Sequence, residues 1–570
     1  MKTNSNLSRR QFIKLSAFGT AGAYFFKGDG FFQPSGILSP NSANAISPLS
    51  TIRGRFESAG FEGDEFTRPH GILWDIDGYV RSKGGRPSEF THESVVVIGG
   101  GMSGLLSSYL LREHSPLLLE QATHLGGNSK GGKFSASNDN TANSFSIGAA
   151  YITKPRAPGG SEEPKATDVG QILRDLGLDK KYRLDDLADT KVVYKTLGLK
   201  RFWQGETDPA AEKSFSKVLS ELTRINEKAF PDIPWTKDSQ LTQEQFTALD
   251  SESAEAWLKR SFADLHPHVE EYFQLYSWSS FGGSLNELSA AQFLNFAAAE
   301  TDGVISFPGG NAAIAEALMQ KTFFSSTSKG KVQTSAIVLE IKNTSSGVEV
   351  LYEDANRTLR LIRAKVAIVA APKFVGRYIV KDLPVEQKNA WASINYRAYA
   401  VANVLLKTKK SYDSFDLFCL NGQVPKPPSF TRPNTQPWTD IVEADWSNHH
   451  RGTRSILTIY KPYPYDGARN TLYSDLALEK IKKEINMELP KFLPTIGHST
   501  YDIEDLRVAR WGHALPLARI GWASNGMLEK IHAPHGKVAF ANQDCLLNPA
   551  FESCLARAAE AATFARKQLV

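Results

Sequence analysis

Two periods of hydrophobic positions run along this chain. Residues 95–98 (VVVI) are too short and too β-branched for a helix and predict a buried parallel strand. The glycine cluster Gly99-Gly100-Gly101-Met102-Ser103-Gly104 follows, residues 105–112 continue with helix formers, and Pro116 stops them. Residues 117–119 predict a second strand that ends on Glu120. Residues 331–352 alternate around Ser345-Ser346-Gly347 as two paired strands do, and 366–372 predict another buried strand. Helical spacing returns at 270–276, at 288–299 and in the alanine-rich stretch 549–562. Pro308-Gly309-Gly310-Asn311 reads as a tight turn before a capped helix start. Pro516 and Gly521 predict an irregular loop over 510–521 (RWGHALPLARIG). Asp75-Ile76-Asp77-Gly78 reads as a turn, because the residues after it do not continue a calcium loop.

Composition narrows the classes. With 570 residues and 41% hydrophobic residues the chain can build two to four domain-sized units around sizeable cores. The formal charge is +5, but Lys2, Arg9, Arg10, Lys14 and Lys27 stand against Asp29 in the first 45 residues, so the remainder is near neutral. No basic face for nucleic acid is indicated. Cys419, Cys545 and Cys554 form no C-x-x-C pair, which writes neither a zinc clip nor covalent haem attachment, and no metal site is expected. Cys545 and Cys554 read as small core residues, with a disulfide between them as the alternative in an exported protein. Ser8-Arg9-Arg10-Gln11-Phe12-Ile13-Lys14 precedes a short, mildly apolar run and the small-x-small site Ala43-Asn44-Ala45. This resembles a twin-arginine export signal over 1–45, which implies a periplasmic or otherwise exported protein, without integral membrane association once the signal is cleaved.

The glycine cluster carries the first chemistry. Its G-x-G-x-x-G spacing, between a strand and a helix, suits a pyrophosphate: Gly99 for the turn, Gly101 for close backbone approach, Gly104 for helix packing. Met102 and Ser103 open the helix whose free N–H groups face phosphate, and Glu120 with Gln121 beyond it is placed for ribose hydroxyls. This motif does not separate NAD from FAD. Leu125-Gly126-Gly127-Asn128-Ser129-Lys130 resembles the second glycine pair of large FAD oxidoreductases. Residues 537–544, ending on Asp544 before the last helix with Phe551, resemble the C-terminal signature of flavin amine oxidases. Val338 matches the strand that in this family meets adenine, and 366–372 its returning strand. The resemblance implies non-covalent FAD and an α/β fold: a Rossmann-like FAD-binding domain of the amine-oxidase type with an inserted mixed, mostly helical substrate domain. The corresponding expectation is a signal peptide over 1–45 and an arm over 46–93. An FAD-binding domain then covers 94–152, 326–405 and 501–570, and a substrate domain covers 153–325 and 406–500. No internal repeat is present.

Arg53-Gly54-Arg55-Phe56, Phe134, residues 276–283 and 510–514 are similar to the spermidine-dehydrogenase-like branch, which implies oxidation of an amine or polyamine by hydride transfer to flavin N5. Trp511, His513 and Tyr399 are the candidate catalytic residues: Trp511 beside the flavin, or core, and His513 as an acid/base near neutral pH, or a structural histidine. Glu287 and Glu300 read first as solvated or capping residues, with contact to an amine cation as the alternative. Tyr272 and Tyr276, and the aromatics Phe418, Trp438, Trp446, Tyr460, Tyr463 and Tyr465, are either pocket walls or core. Three departures stand out. No lysine occurs between 396 and 406, where the family carries one near the flavin; Ala550 takes the place of a cage tyrosine; Asn128 stands where an arginine is usual. Two other readings therefore stay open, a C–C-oxidising enzyme resembling phytoene desaturases or protoporphyrinogen oxidases, and a non-catalytic flavin-bearing partner protein. The expected partners are a small-molecule substrate and an electron acceptor, whether oxygen, a quinone or a cytochrome.

Overall fold

The computed structural model describes residues 62–570 apart from 66, 135–143, 156–167, 195–196, 413, 434–435 and 450–452. The export signal and the Arg53–Phe56 match lie outside the described residues. Strand Thr91–Ile98 is the centre of a seven-stranded sheet. It pairs in parallel with Leu117–Leu119 on one side and Leu359–Val369 on the other. Lys331–Gln333 extends one edge, Val348–Glu353 and Ile337–Asn343 extend the other as an antiparallel meander, and Val538–Phe540 joins Leu359–Val369 in parallel. Alternation explains the unbroken apolar run. Val95 and Val97 pack with helices Met102–Leu110 and Phe551–Leu569, while Val96 and Ile98 pack with the meander and Trp391. A sheet buried on both faces needs apolar residues at every position.

A second sheet of eight strands runs in the order Glu62–Gly63, Ile503–Pro516, Tyr396–Leu406, Ser455–Tyr463, Asp440–Glu443, Asp416–Leu420, Lys191–Tyr194, Gly198–Arg201. Every residue of Tyr396–Leu406 is buried. Helix Pro267–Phe281 lies across Asp416–Leu420 and Ser455–Tyr463, and most of the described insertion from Val169 to Met319 is helical. Glu271, fully buried on that helix, accepts the backbone N–H groups of Asn421 (2.6 Å) and Gly422 (2.8 Å) and so ties the helix to the end of strand Asp416–Leu420.

Several expectations need correction. Segment 510–521 is not an irregular loop: residues up to Pro516 belong to strand Ile503–Pro516, which pairs with Tyr396–Leu406. Its proline ends the ladder instead of interrupting it, and a buried partner strand satisfies the remaining backbone groups. Two segments that the sequence assigns to the cofactor part, 396–405 and 501–516, consequently run in the second sheet. Asp75 caps helix Ile76–Ser82 by accepting the Gly78 N–H (2.9 Å). Asn311 does not cap helix Ala312–Met319; its amide donates to the Tyr151 carbonyl at 2.9 Å. The three cysteines are free thiols. The described part of the arm adds a parallel strand to the second sheet, and its Arg68, Tyr79 and Lys83 converge on the buried carboxylate of Glu353.

Replacing Glu271 by alanine leaves two buried N–H groups without an acceptor and is expected to cost about 2–4 kcal/mol. Urea unfolding of the two proteins side by side measures it, and an unchanged midpoint refutes the tie.

Candidate active site

Backbone contact between two glycine segments builds the cofactor end of the site. A Cβ on Gly104 would lie 1.8 Å from the Gly99 carbonyl oxygen, so the helix can start only this close to the strand without a side chain there. Gly127, at φ +55°, brings its own backbone against Gly101, and Gly126 N–H donates to the Gly100 carbonyl at 2.8 Å. Gly99 N–H donates to Leu119. Met102 and Ser103 are buried in the first turn of helix Met102–Leu110, whose start carries no side-chain cap. Glu120 accepts the N–H groups of Gly100 (2.6 Å) and Ala122 (2.7 Å), with Gln121 beside it. Val338 is buried at the bulge of strand Ile337–Asn343.

Beyond this turn lies a cavity of about 900 Å³. Asn128, Gln543 and Phe551 line it, as do Tyr399 and Trp511, which sit opposite each other on adjacent strands. The Ala514 carbonyl accepts from Asn128 Nδ2 (3.3 Å) and Gln543 Nε2 (3.1 Å), so the second glycine segment, the second sheet and the C-terminal segment meet at one oxygen. Trp511 donates its indole N–H to Ile147 (2.6 Å). Tyr460 meets Tyr399 edge-on at 5.7 Å and donates to the Gly148 carbonyl. Phe418 and Tyr460 line the cavity, whereas Trp438, Trp446 and Tyr465 pack in the cores.

Two predicted residues fall elsewhere. His513 does not line the cavity. The irregularity between the Tyr399–Trp511 and Arg397–Leu515 pairs breaks the alternation, and the imidazole stacks on Phe374 at 3.8 Å. Burial, together with the charges of Arg469, His70 and Arg377, lowers it to about 3, so it stays neutral and cannot act as an acid/base near pH 7. Asp544 is buried with its carboxylate committed to the Lys373 N–H (2.8 Å) and the Tyr396 hydroxyl (2.5 Å); its neighbour Gln543 faces the cavity. Glu287 likewise is held by Arg397, through two 3.1 Å contacts, while Glu300 lines the cavity.

Glu300 apart, the acids are what the sequence reading misses. Asp416, Asp440, Glu300 and Glu552 line the cavity, and Asp168, Asp232 and Asp238 join them, whereas Lys154 is the single Lys or Arg of its described lining. Phe418 pairs with Asp440 and Asp416 with Val442, so Asp416, Phe418 and Asp440 share one face of the sheet. Tyr151 donates to Glu300 (3.2 Å), Thr153 N–H donates to Glu552 (3.2 Å), and the Thr439 hydroxyl donates to Asp440. Asp416 Oδ1 is buried without a hydrogen-bond partner. Burial raises Glu300 and Asp440 to about 7, and Asp185, close behind them, to about 7. Asp416 is pushed well above the usual carboxylate range by burial and then by Asp440, Asp185 and Glu300.

Comparison with known proteins agrees with this architecture. The family described as flavin containing amine oxidoreductase matches residues 102–563. The chain belongs to this family. The chain is 23% identical over 529 residues to Oxidoreductase PigB of Serratia sp. (strain ATCC 39006), across 84% of this chain and 75% of that one. Cyclohexylamine oxidase from Brevibacterium oxydans IH-35A shares its fold with a TM-score of 0.57 at 16% identity, over 83% of this chain and 99% of that one. Putrescine oxidase bound to putrescine does so with a TM-score of 0.58 at 16% identity, over 83% and 99%.

The protein is an FAD-dependent oxidoreductase. Its residues fit the cofactor. The Gly104 and Gly127 contacts leave an uncapped helix start beside a backbone free of side chains, which suits a pyrophosphate. Glu120 is the carboxylate at hand for ribose hydroxyls, and Asn128, Gln543, Trp511 and Phe551 border the cavity where a flavin ring would be held.

Carboxylates raised by burial bind protons more tightly folded than unfolded. Their contribution to stability is full below the unfolded values near 4 and is lost as pH rises towards about 7. The cofactor-free protein is expected to melt at lower temperature at pH 8 than at pH 5.5, with a shallower decline in Asp440→Asn. Calorimetry over that range decides, and a midpoint that rises with pH contradicts the burial of these acids.

Proposed function

We propose that the protein oxidises the C–N bond of an amine that arrives as a cation. The observation that carries this reading is the cavity itself, with Glu300, Asp416, Asp440 and Glu552 inside it and a single cation, Lys154, in its described lining. A polyene or a tetrapyrrole precursor calls for an apolar tunnel, and a buried unpaired carboxylate disfavours such a ligand. The acids attract and orient an ammonium group, and Tyr399, Tyr460 and Trp511 supply aromatic faces that suit a cation or its alkyl chain. The aromatic wall thus rises from the central strands of the second sheet, which accounts for Ala550 at the position of the cage tyrosine. When bound, FAD accepts a hydride from the carbon next to nitrogen. The chain's own work is to exclude water, hold that carbon in place and let the nitrogen give up its proton. The solved relatives titled cyclohexylamine oxidase and putrescine oxidase support an amine substrate, and the cavity's acids favour the polyamine-oxidising branch among them.

We further propose that the leader directs export through the twin-arginine route and that FAD is held without a covalent bond. Cys545 is fully buried, and burial pushes the Cys554 thiol up to about 12, which suits neither as a flavin nucleophile.

Anaerobic mixing of the FAD-loaded protein with cyclohexylamine, 1,4-diaminobutane, spermidine, amino acids and a polyene is expected to bleach the flavin absorbance with amines alone. Bleaching by the polyene alone overturns the reading. Replacing Arg9 and Arg10 together by lysine is expected to abolish appearance of the protein in the periplasmic fraction of a bacterial host, and unchanged fractionation rejects the export signal.

A further inference from the structure

The cavity holds a row of three polar side chains that the binding role does not use. The hydroxyls of Tyr399 and Ser279 lie 2.8 Å apart, and Ser279 in turn interacts with the Asp440 carboxylate. All three residues line the cavity. They come from three separate elements: strand Tyr396–Leu406, helix Pro267–Phe281 and strand Asp440–Glu443. Between Ser279 and an ionised Asp440 only the hydroxyl can donate, and a Ser279 hydroxyl turned towards Asp440 is left to accept from Tyr399. In that arrangement the row runs from Tyr399 inward, and a lone pair of the Tyr399 oxygen is left for a donor in the cavity.

We propose that Tyr399, Ser279 and Asp440 form a relay that takes the proton from the substrate's ammonium group. This rests on the amine reading. An amine is a cation in neutral solution and gives hydride only once neutral, so one proton has to leave before oxidation. In the step, the ammonium N–H bond breaks and its electron pair stays on nitrogen. The proton goes to the Tyr399 oxygen, the Tyr399 proton to Ser279, and the Ser279 proton to Asp440. An ammonium and a carboxylate become a neutral amine and a carboxylic acid, with no electron gained or lost.

The surroundings suit Asp440 to that end of the path. Facing it are Asp416 and Cys419 from the neighbouring strand, Tyr460 from strand Ser455–Tyr463, Tyr399 from strand Tyr396–Leu406, Tyr272 from the helix that carries Ser279, and Tyr151. Glu300 and Asp185 stand behind them, and the guanidinium that acts on this group is Arg183, beside Asp185. With carboxylates as near neighbours and burial against ionisation, Asp440 holds a proton at about 7, close to neutral pH, where a proton acceptor both releases and reloads readily. A merely structural Asp440 would need only its Thr439 partner.

The test follows flavin bleaching by cyclohexylamine and 1,4-diaminobutane between pH 6 and 10. The wild-type reduction rate is expected to level off above an apparent pKa near 7. In Ser279→Ala and Asp440→Asn it should fall roughly 100-fold at pH 7 and climb about tenfold per pH unit towards the amine's own pKa near 10. Ser279→Thr keeps a hydroxyl and should keep the wild-type profile. A second readout needs no turnover: benzyltrimethylammonium carries no N–H and cannot lose a proton. Its binding at pH 7, followed calorimetrically in buffers of different ionisation heat, is expected to release protons from the wild-type carboxylates and fewer from Asp440→Asn. Bleaching by amines with wild-type pH profiles in Ser279→Ala and Asp440→Asn overturns the relay alone, as does equal proton release in the calorimeter. Failure of every amine to bleach the wild-type flavin overturns the amine reading and the relay with it.

Discussion

The ladder between Tyr396–Leu406 and Ile503–Pro516 holds the site together. It places Tyr399 opposite Trp511, and at its end the Ala514 carbonyl receives both Asn128 and Gln543. The Tyr396 hydroxyl reaches Asp544 from the same strand. Segments more than 100 residues apart in the chain are thus fixed to one pair of strands. A shift of either strand by one residue would turn its own aromatic residue, Tyr399 or Trp511, away from the cavity and break their pairing. The irregularity at Arg397–Leu515 serves the same arrangement, because it sends His513 to the Phe374 stack and keeps the cavity wall aromatic.

Electrostatics follows from where that ladder stands. Asn128, beside the second glycine pair, bonds to the second sheet, and acids on that sheet's neighbouring strands end up in a cavity whose described lining holds one lysine. Burial then raises them towards neutrality, so they hold protons that a cationic guest can displace. The unpaired Asp416 oxygen is costly in a closed protein and is reasonable only where a donor visits. Stability and recognition pull in opposite directions at this point, as functional sites commonly show.

Parts of this were legible in the residues. The order of strand, glycine turn and helix over 95–112 is found where the spacing puts it, and so is the helix that ends the chain. Tyr399 and Trp511, which the sequence offers as site residues, line the cavity, and so does Glu300, for which the sequence favours a solvated or capping role. His513 and Asp544 were misjudged because a sequence shows residue type and not partner: Phe374 and Lys373, which occupy them, lie more than 130 residues away. The loop expected at 510–521 failed for a similar reason, since a breaker at the end of a strand looks the same as one inside it.

What the sequence determined alone is the cofactor turn. A glycine that tolerates no Cβ, a helix start that leaves N–H groups free and an acid one strand later are local requirements, set by backbone geometry within some twenty residues. The acidic, aromatic cavity was decided by tertiary structure. Asp416 and Asp440 each open a short strand, where a carboxylate ordinarily faces water, and only the pairing of those strands beneath the helix of Ser279 makes them neighbours, with Asp440 and one oxygen of Asp416 buried. Burial is a property of what covers a residue, and no local pattern in the chain records it.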